Sequence, residues 1–206
     1  YICKMAYIQR KISKRILDGM KTMPAVFING PRQSDKSTLA AKISNDGFDA
    51  EYVTFDDVSV LASAKNDPEG FLQSFNKPVV IDEVQLVPDI FRQLKKIIDN
   101  NRMAGKDING RYLLTGSSNV KTVPELSDAL VGRVLLIPLF PFSSGEICKT
   151  NGNFVLSVFN KSDSFQYPDT IKYTLKDMIR EATFPEISIN KSINVNVWFE
   201  SYINTL

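Results

Sequence analysis

The stretch Gly30-Pro31-Arg32-Gln33-Ser34-Asp35-Lys36-Ser37 narrows the folds open to this chain more than any other. Its spacing is that of a phosphate-binding loop, G-x-x-x-x-G-K-[ST], with Asp35 where the second glycine stands. In such a loop successive backbone N–H groups wrap phosphates, the lysine reaches the outer ones and the Ser/Thr hydroxyl holds Mg²⁺. The motif needs a strand before it and a helix after it. Ala25–Asn29 reads as that strand, and Lys36 to about Ile43 as that helix.

Asp35 complicates the chemistry. A glycine before the lysine lets the backbone approach phosphate and adopt torsions a side chain resists. A carboxylate there also repels: two unit charges about 4 Å apart interact by roughly 1 kcal/mol in water and about 4 kcal/mol at an effective dielectric near 20. That corresponds to about a tenfold to thousandfold loss of triphosphate affinity.

Beyond the loop, segments of helical period alternate with short apolar runs, as in βαβ units around a parallel sheet. Four further strands are expected: Tyr52–Phe55, Pro78–Asp82, Arg111–Thr115 and Val134–Leu139. Asp67-Pro68-Glu69 caps a helix running to about Phe75. Pro88 opens a long amphipathic helix that buries Ile90, Phe91, Leu94, Ile97 and Ile98. Asn109-Gly110 is a turn, and Pro124–Val131 a short helix. The fold class is therefore α/β: a five-stranded parallel sheet with flanking helices. From about residue 150 the sequence turns rich in Asn, Ser, Lys and Asp, with helices expected over Tyr167–Glu181 and from Val197. Residues 1–150 read as the P-loop domain and 151–206 as part of a second one.

Composition removes whole classes of chemistry. The chain has no histidine, so any general base is a carboxylate and no His-based triad or His-containing zinc site exists. Two cysteines, Cys3 and Cys148, make neither a metal knuckle nor a disulfide framework, and a reducing cytoplasm is the default compartment. Cys148 and Trp198 read as packing residues. Net charge is only +2, which gives no electrostatic case for nucleic acid; the basic run Arg10, Lys11, Lys14, Arg15 and Lys21 reads as a solvated helix face. The apolar runs fall short of a membrane helix.

Val79-Val80-Ile81-Asp82-Glu83 is an apolar strand ending in two acids, the form of a Walker B motif. In that role Asp82, with Ser37, holds Mg²⁺, and Glu83 polarises the attacking water. An acid pair at a strand end is otherwise a turn or cap. Ser117, in Thr115-Gly116-Ser117-Ser118-Asn119, sits where a polar group senses the outer phosphate, though any loop uses such residues. Arg133 precedes the fifth strand, where it either reaches phosphate oxygens, in its own subunit or a neighbour's, or makes a structural ion pair. Asp56 and Asp57 follow the second strand, at the cleft or simply exposed. The candidate nucleotide-binding set is Gly30, Pro31, Arg32, Gln33, Ser34, Asp35, Lys36, Ser37 and Thr38.

Assembled, these residues resemble a prokaryotic AAA-type P-loop ATPase family whose members carry a C-terminal domain of unknown function. The resemblance rests on Tyr7–Arg10, the P-loop, Tyr52–Asp57, Ile81–Gln85, Leu113–Ser117, Leu130–Arg133, Pro141–Glu146, Phe184-Pro185-Glu186 and the Trp198–Tyr202 helix. It implies sheet order 5-1-4-3-2, nucleotide at the carboxyl ends of the strands, and ATP with Mg²⁺ as ligands. ATP is then the first partner and a second copy of the chain another. Departures are Asp35, and Glu181-Ala182-Thr183 where glycines are usual. The resemblance also runs past Leu206, so a truncated second domain is expected, and Met5 reads as a natural start. Two functions follow: an ATP–Mg²⁺-binding protein with slow hydrolysis, impaired by Asp35, or a nucleotide-free remnant or interaction module.

Overall fold

The computed structural model describes residues 7–46, 48–117, 130–149 and 174–205. These form two compact units, residues 12–139 and residues 1–11 with 140–206.

The first unit is built on five parallel strands: β1 (Ala25–Gly30), β2 (Glu51–Thr54), β3 (Val79–Asp82), β4 (Tyr112–Ser117) and β5 (Val134–Pro138). Their order is β2-β3-β4-β1-β5, the 5-1-4-3-2 arrangement the resemblance implies. β1 reads as an unbroken apolar run because it is central and covered on both faces, and all its residues are buried. β2 is an edge strand, and its residues are exposed or half-buried.

The pleat sorts side chains onto two cores. Val26, Ile28, Val80 and Leu113 face α1 (Ser13–Thr22) and α2 (Lys36–Asn45), packing on Ile16, Met20, Leu39 and Ile43. Ala25, Phe27, Val79, Ile81 and Leu114 point the other way, toward α3 (Val58–Asn66), α4 (Pro68–Gln73) and α5 (Asp89–Met103). α5 buries Ile90, Phe91, Leu94, Ile97 and Ile98, the stripe expected from their spacing. Asp67 accepts a hydrogen bond from the Gly70 amide at 2.9 Å, capping α4 as its sequence predicts. The expected turn at Asn109-Gly110 has Gly110 at φ 72°, and a Cβ there would stand 2.8 Å from the Met20 carbonyl oxygen. α3 and the 3-10 turn Val84–Leu86 were not expected from the sequence. Most of the expected helix Pro124–Val131 lies outside the described residues.

The second unit contains α6 (Ser144–Ile147), α7 (Leu175–Glu181), α8 (Pro185–Ile189) and α9 (Val195–Asn204). The first part of the expected Tyr167–Glu181 helix lies outside the described residues. Trp198 is a packing residue as expected, stacked on Tyr202 with ring centroids 5.3 Å apart. Arg10 corrects the reading of the basic run: Lys11, Lys14, Arg15 and Lys21 are exposed, but Arg10 is only 4% exposed. It pairs with Glu146 at 3.3 Å, donates to the Phe140 carbonyl at 2.6 Å and lies over the Phe142 ring. A buried cation needs such partners, so Arg10 is structural. Among the described residues no helix is long and apolar enough to cross a membrane.

Candidate nucleotide site

β1 delivers the chain into residues 31–35, and α2 leaves from Lys36. Gly30 is obligatory at the strand end, since a Cβ there would lie 2.1 Å from the Leu139 carbonyl oxygen. Ser34 is fully buried and ties the loop to itself by donating to the Pro31 carbonyl at 2.9 Å. Gln33 and Asp35 both take left-handed torsions, Asp35 at φ 64° and ψ 36°. The loop therefore has the backbone that a glycine would supply, with an aspartate in its place. Aspartate is among the residues that visit this region least unfavourably.

Around this loop lies a cleft of about 460 Å³, bordered by Arg32, Gln33, Asp35, Lys36, Ser37, Thr38, Asp56, Glu83, Gln85, Leu86 and Ser117. Lys36 is buried, and its ammonium donates to the Pro31 carbonyl at 2.9 Å. Burial pulls its pKa below the ordinary lysine value, with Arg32 acting in the same sense, while Glu83, Asp82 and Asp35 oppose this. Three carboxylates against two cations on the lining make the cleft acidic by balance, an unusual setting for a polyphosphate.

Behind the cleft, Asp82 at the end of β3 is 2% exposed. Ser37 Oγ donates to its Oδ1 at 2.9 Å, Thr115 Oγ1 donates to the same oxygen, and Tyr52 Oη donates to Oδ2 at 3.0 Å. Register explains the convergence. Tyr52 is opposite Val80 and Val80 opposite Leu113, on the face α2 covers, and the pleat returns Asp82 and Thr115 to that face two residues later. The Tyr52 phenol is pushed up, by burial first and then by the neighbouring Asp82 carboxylate, so it remains a donor. Glu83 follows in a left-handed conformation, φ 58°, with its N–H on Thr115 Oγ1 at 3.3 Å. Strained torsions at an acid beside a cleft are what functional sites tolerate.

The donor set fits a hard divalent cation. Adjacent octahedral ligands of Mg²⁺, each about 2.1 Å from the ion, stand roughly 3 Å apart. The Ser37 and Asp82 oxygens are 2.9 Å apart. Ser37 and Asp82 would hold the ion and Lys36 the phosphates.

Of the residues singled out in the sequence, the fold thus gathers the P-loop set, Asp82, Glu83 and Ser117, along with Asp56. Ser118 and Asn119 lie outside the described residues. Asp57 is elsewhere, capping α3 through the Ser59 and Val60 amides. Of the two roles open to Arg133, the structure shows the ion pair, and the residue does not line the cleft of its own chain. Val134 is paired with Ala25, five residues before Gly30, so Arg133, one residue earlier, lies at the opposite end of the sheet, about 20 Å away at the rise of a strand. There it grips Asp99 with two hydrogen bonds of 2.7 and 2.9 Å. Sequence reasoning assigned no role to Tyr52 or Gln85. Both lie in stretches that carry the family resemblance, Tyr52–Asp57 and Ile81–Gln85; strand parity could also have found Tyr52 once the sheet order was assumed.

Known proteins place this arrangement. A family model for the AAA domain matches residues 22–148. The uncharacterized proteins Mb2031c of Mycobacterium bovis and Rv2008c of Mycobacterium tuberculosis are each 33% identical over 132 residues, covering 64% of this chain and 28% of theirs. The chain thus spans little more than a quarter of those relatives' length. The fold is similar to AMPPCP-bound DnaA from Aquifex aeolicus, with TM-score 0.52 and 13% identity over 90% of this chain and 62% of that one. It is also similar to the Walker-type ATPase PABY2304 of Pyrococcus abyssi, with TM-score 0.51 and 12% identity over 90% of this chain and 67% of that one. With its five-stranded 5-1-4-3-2 sheet and more than half its length matched, the chain belongs to the AAA-type P-loop ATPase family.

Proposed function

We propose that this protein binds ATP with Mg²⁺ in the cleft at the carboxyl ends of β1, β3 and β4, and hydrolyses it slowly. The observation that carries this reading is the meeting of Ser37 and Asp82 at 2.9 Å beside Lys36 and Glu83, residues that arrive from separate elements. On binding, the Lys36 ammonium moves from the Pro31 carbonyl to the phosphates, and the Ser37 hydroxyl turns its oxygen lone pairs to the ion. Thr115 and Tyr52 hold Asp82 in place. Glu83 takes a proton from the attacking water as its oxygen bonds to the γ-phosphorus and the bond to the β–γ bridging oxygen breaks. Mg²⁺, when bound, neutralises charge on the phosphate oxygens. Arg32, Gln33 and Thr38 complete the phosphate cradle.

The acidity of the cleft, with Asp35 inside the loop, favours a second reading in which the site binds no nucleotide. One titration separates them: MgATP affinity of this chain and of Asp35→Gly by calorimetry. We expect binding by both, tighter by a factor of about ten to a thousand in the variant. Turnover should then fall in Glu83→Gln. Binding by the variant alone would make Asp35 the lesion and the protein a pseudo-ATPase. An affinity unaltered by Asp35→Gly would remove the proposed role of Asp35.

A further inference from the structure

Gln85 stands between the acid pair and β4. Its Nε2 donates to Glu83 Oε2, and its Oε1 accepts the Ser117 backbone N–H at 3.2 Å. The two ends of the amide are not interchangeable here. Reversing it would set an N–H against the Ser117 N–H and an oxygen against a carboxylate, two repulsive contacts. The strand makes room for it: a Cβ on Gly116 would lie 2.7 Å from Gln85 Oε1. Glu83 is held to the same strand a second time, by its own N–H on Thr115 Oγ1 at 3.3 Å. Backbone and side chain of this acid are thus both referred to the end of β4. Ser117 lies opposite Gly30, where the phosphate loop begins.

We propose that Gln85 is a positioning residue for Glu83. It fixes one carboxylate oxygen, leaves the other to meet water, and makes the direction of the acid follow the position of Ser117. A phosphate that shifts the end of β4 would then turn the base through one side chain. The tie itself depends only on the contacts above. Its part in hydrolysis rests on the reading of Glu83 as the base.

The test uses the full chain and two readouts. The first is amide hydrogen exchange at Ser117, which needs no turnover. Loss of one hydrogen bond of about 1 kcal/mol predicts exchange roughly five times faster in Gln85→Leu. Gln85→Glu keeps an acceptor for Ser117 and loses the donor to Glu83, so it should retain most of the protection; it also serves if the leucine variant folds poorly. Ser117 protection unchanged in Gln85→Leu would overturn the tie. The second readout is single-turnover hydrolysis beside MgATP affinity. Both Gln85 variants should lose about tenfold or more in rate with affinity within about threefold, and adding either to Glu83→Gln should cost nothing further, as expected for residues acting as one unit. A multiplicative loss in the double variant would overturn the positioning role. Should Glu83→Gln leave turnover unchanged, the base assignment falls and the positioning role with it, while the exchange measurement still decides the tie.

Discussion

Asp35 carries two costs that a glycine would not. One is conformational, since a left-handed L-residue is disfavoured by roughly 1–2 kcal/mol, less for Asp than for most. The other is the negative charge it brings to a cleft already bordered by Glu83 and Asp56. Because the backbone is already in the glycine-like state, Asp35→Gly removes both without moving the loop, which is why the affinity gain should appear in full. Lys36 gives a prediction with a sign. Its folded pKa lies below the unfolded value of 10.5, so between the two the unfolded chain binds more protons and stability rises with pH through that window. Phosphates beside the ammonium would raise the folded value again. MgATP binding is therefore expected to take up protons increasingly as pH climbs into the window. Calorimetric enthalpies measured in buffers of different ionisation heat report this, and buffer-independent enthalpies would count against Lys36 as a phosphate ligand. At this scale the sequence disclosed Lys36, Ser37, Asp82 and Glu83 because each falls at a fixed offset in a motif. Tyr52 and Gln85 fall in the same family-like stretches but were given no role, because each acts through a contact with a separate segment, Tyr52 with Asp82 and Gln85 with Ser117.

Elements show why spacing alone left Arg133 open between a phosphate contact and an ion pair. Its place just before a strand is legible, but which end of the sheet that strand begins at depends on pairing, and parallel pairing of β5 with β1 puts every strand's start away from the P-loop. Its paired groups are partly exposed, and solvent screening limits a bidentate pair of this kind to about 1 kcal/mol or less. Arg133→Ala should lower stability by that amount in urea titration and leave MgATP affinity unaltered; weakened binding would return Arg133 to the nucleotide site. A similar lesson comes from the end of α7. In Glu181-Ala182-Thr183, Ala182 and Thr183 both adopt positive φ, 43° and 56°. Both carry side chains in torsions that glycine adopts without strain, as Asp35 does in the loop. Thr183 is β-branched and the more strained of the two. Relief of strain, less the entropy that glycine adds to the unfolded chain, predicts that Thr183→Gly stabilises by up to about 1 kcal/mol. Thermal unfolding checks it, and a lowered midpoint would mean the strain is absent.

On the scale of the molecule, the second unit joins residues far apart in the chain through one buried ion pair. Burial by itself would raise the Glu146 carboxyl, but the Ser143 and Lys11 amides and the Arg10 guanidinium outweigh it and hold the pKa below 4.5. A depressed carboxylate contributes stability above its unfolded pKa and loses it as pH falls through the folded value. Stability should therefore drop on acidification from about pH 4.5 downward, with a shallower slope in Glu146→Gln. That variant should also be weaker at neutral pH by up to about 3 kcal/mol, because Arg10 keeps its carbonyl acceptor but loses the carboxylate charge opposite it. An acid limb identical in both proteins would remove Glu146 from the account.

The sequence by itself determined the α/β class, the five strands to within a residue or two, the buried stripe of α5 and the P-loop with its acid pair. Each of these is written in local period or in fixed spacing along one chain segment, where backbone geometry alone relates the residues. Only the tertiary structure decided that three hydroxyls converge on Asp82, that Gln85 bridges Glu83 to Ser117, that Arg10 is buried and that Arg133 lies at the far end of the sheet. Those facts depend on strand register and on contacts between residues more than thirty positions apart in several cases, as with Thr115 and Asp82, 33 apart. Period and motif spacing carry no record of such pairings, because they arise when separate segments pack and not within any one of them.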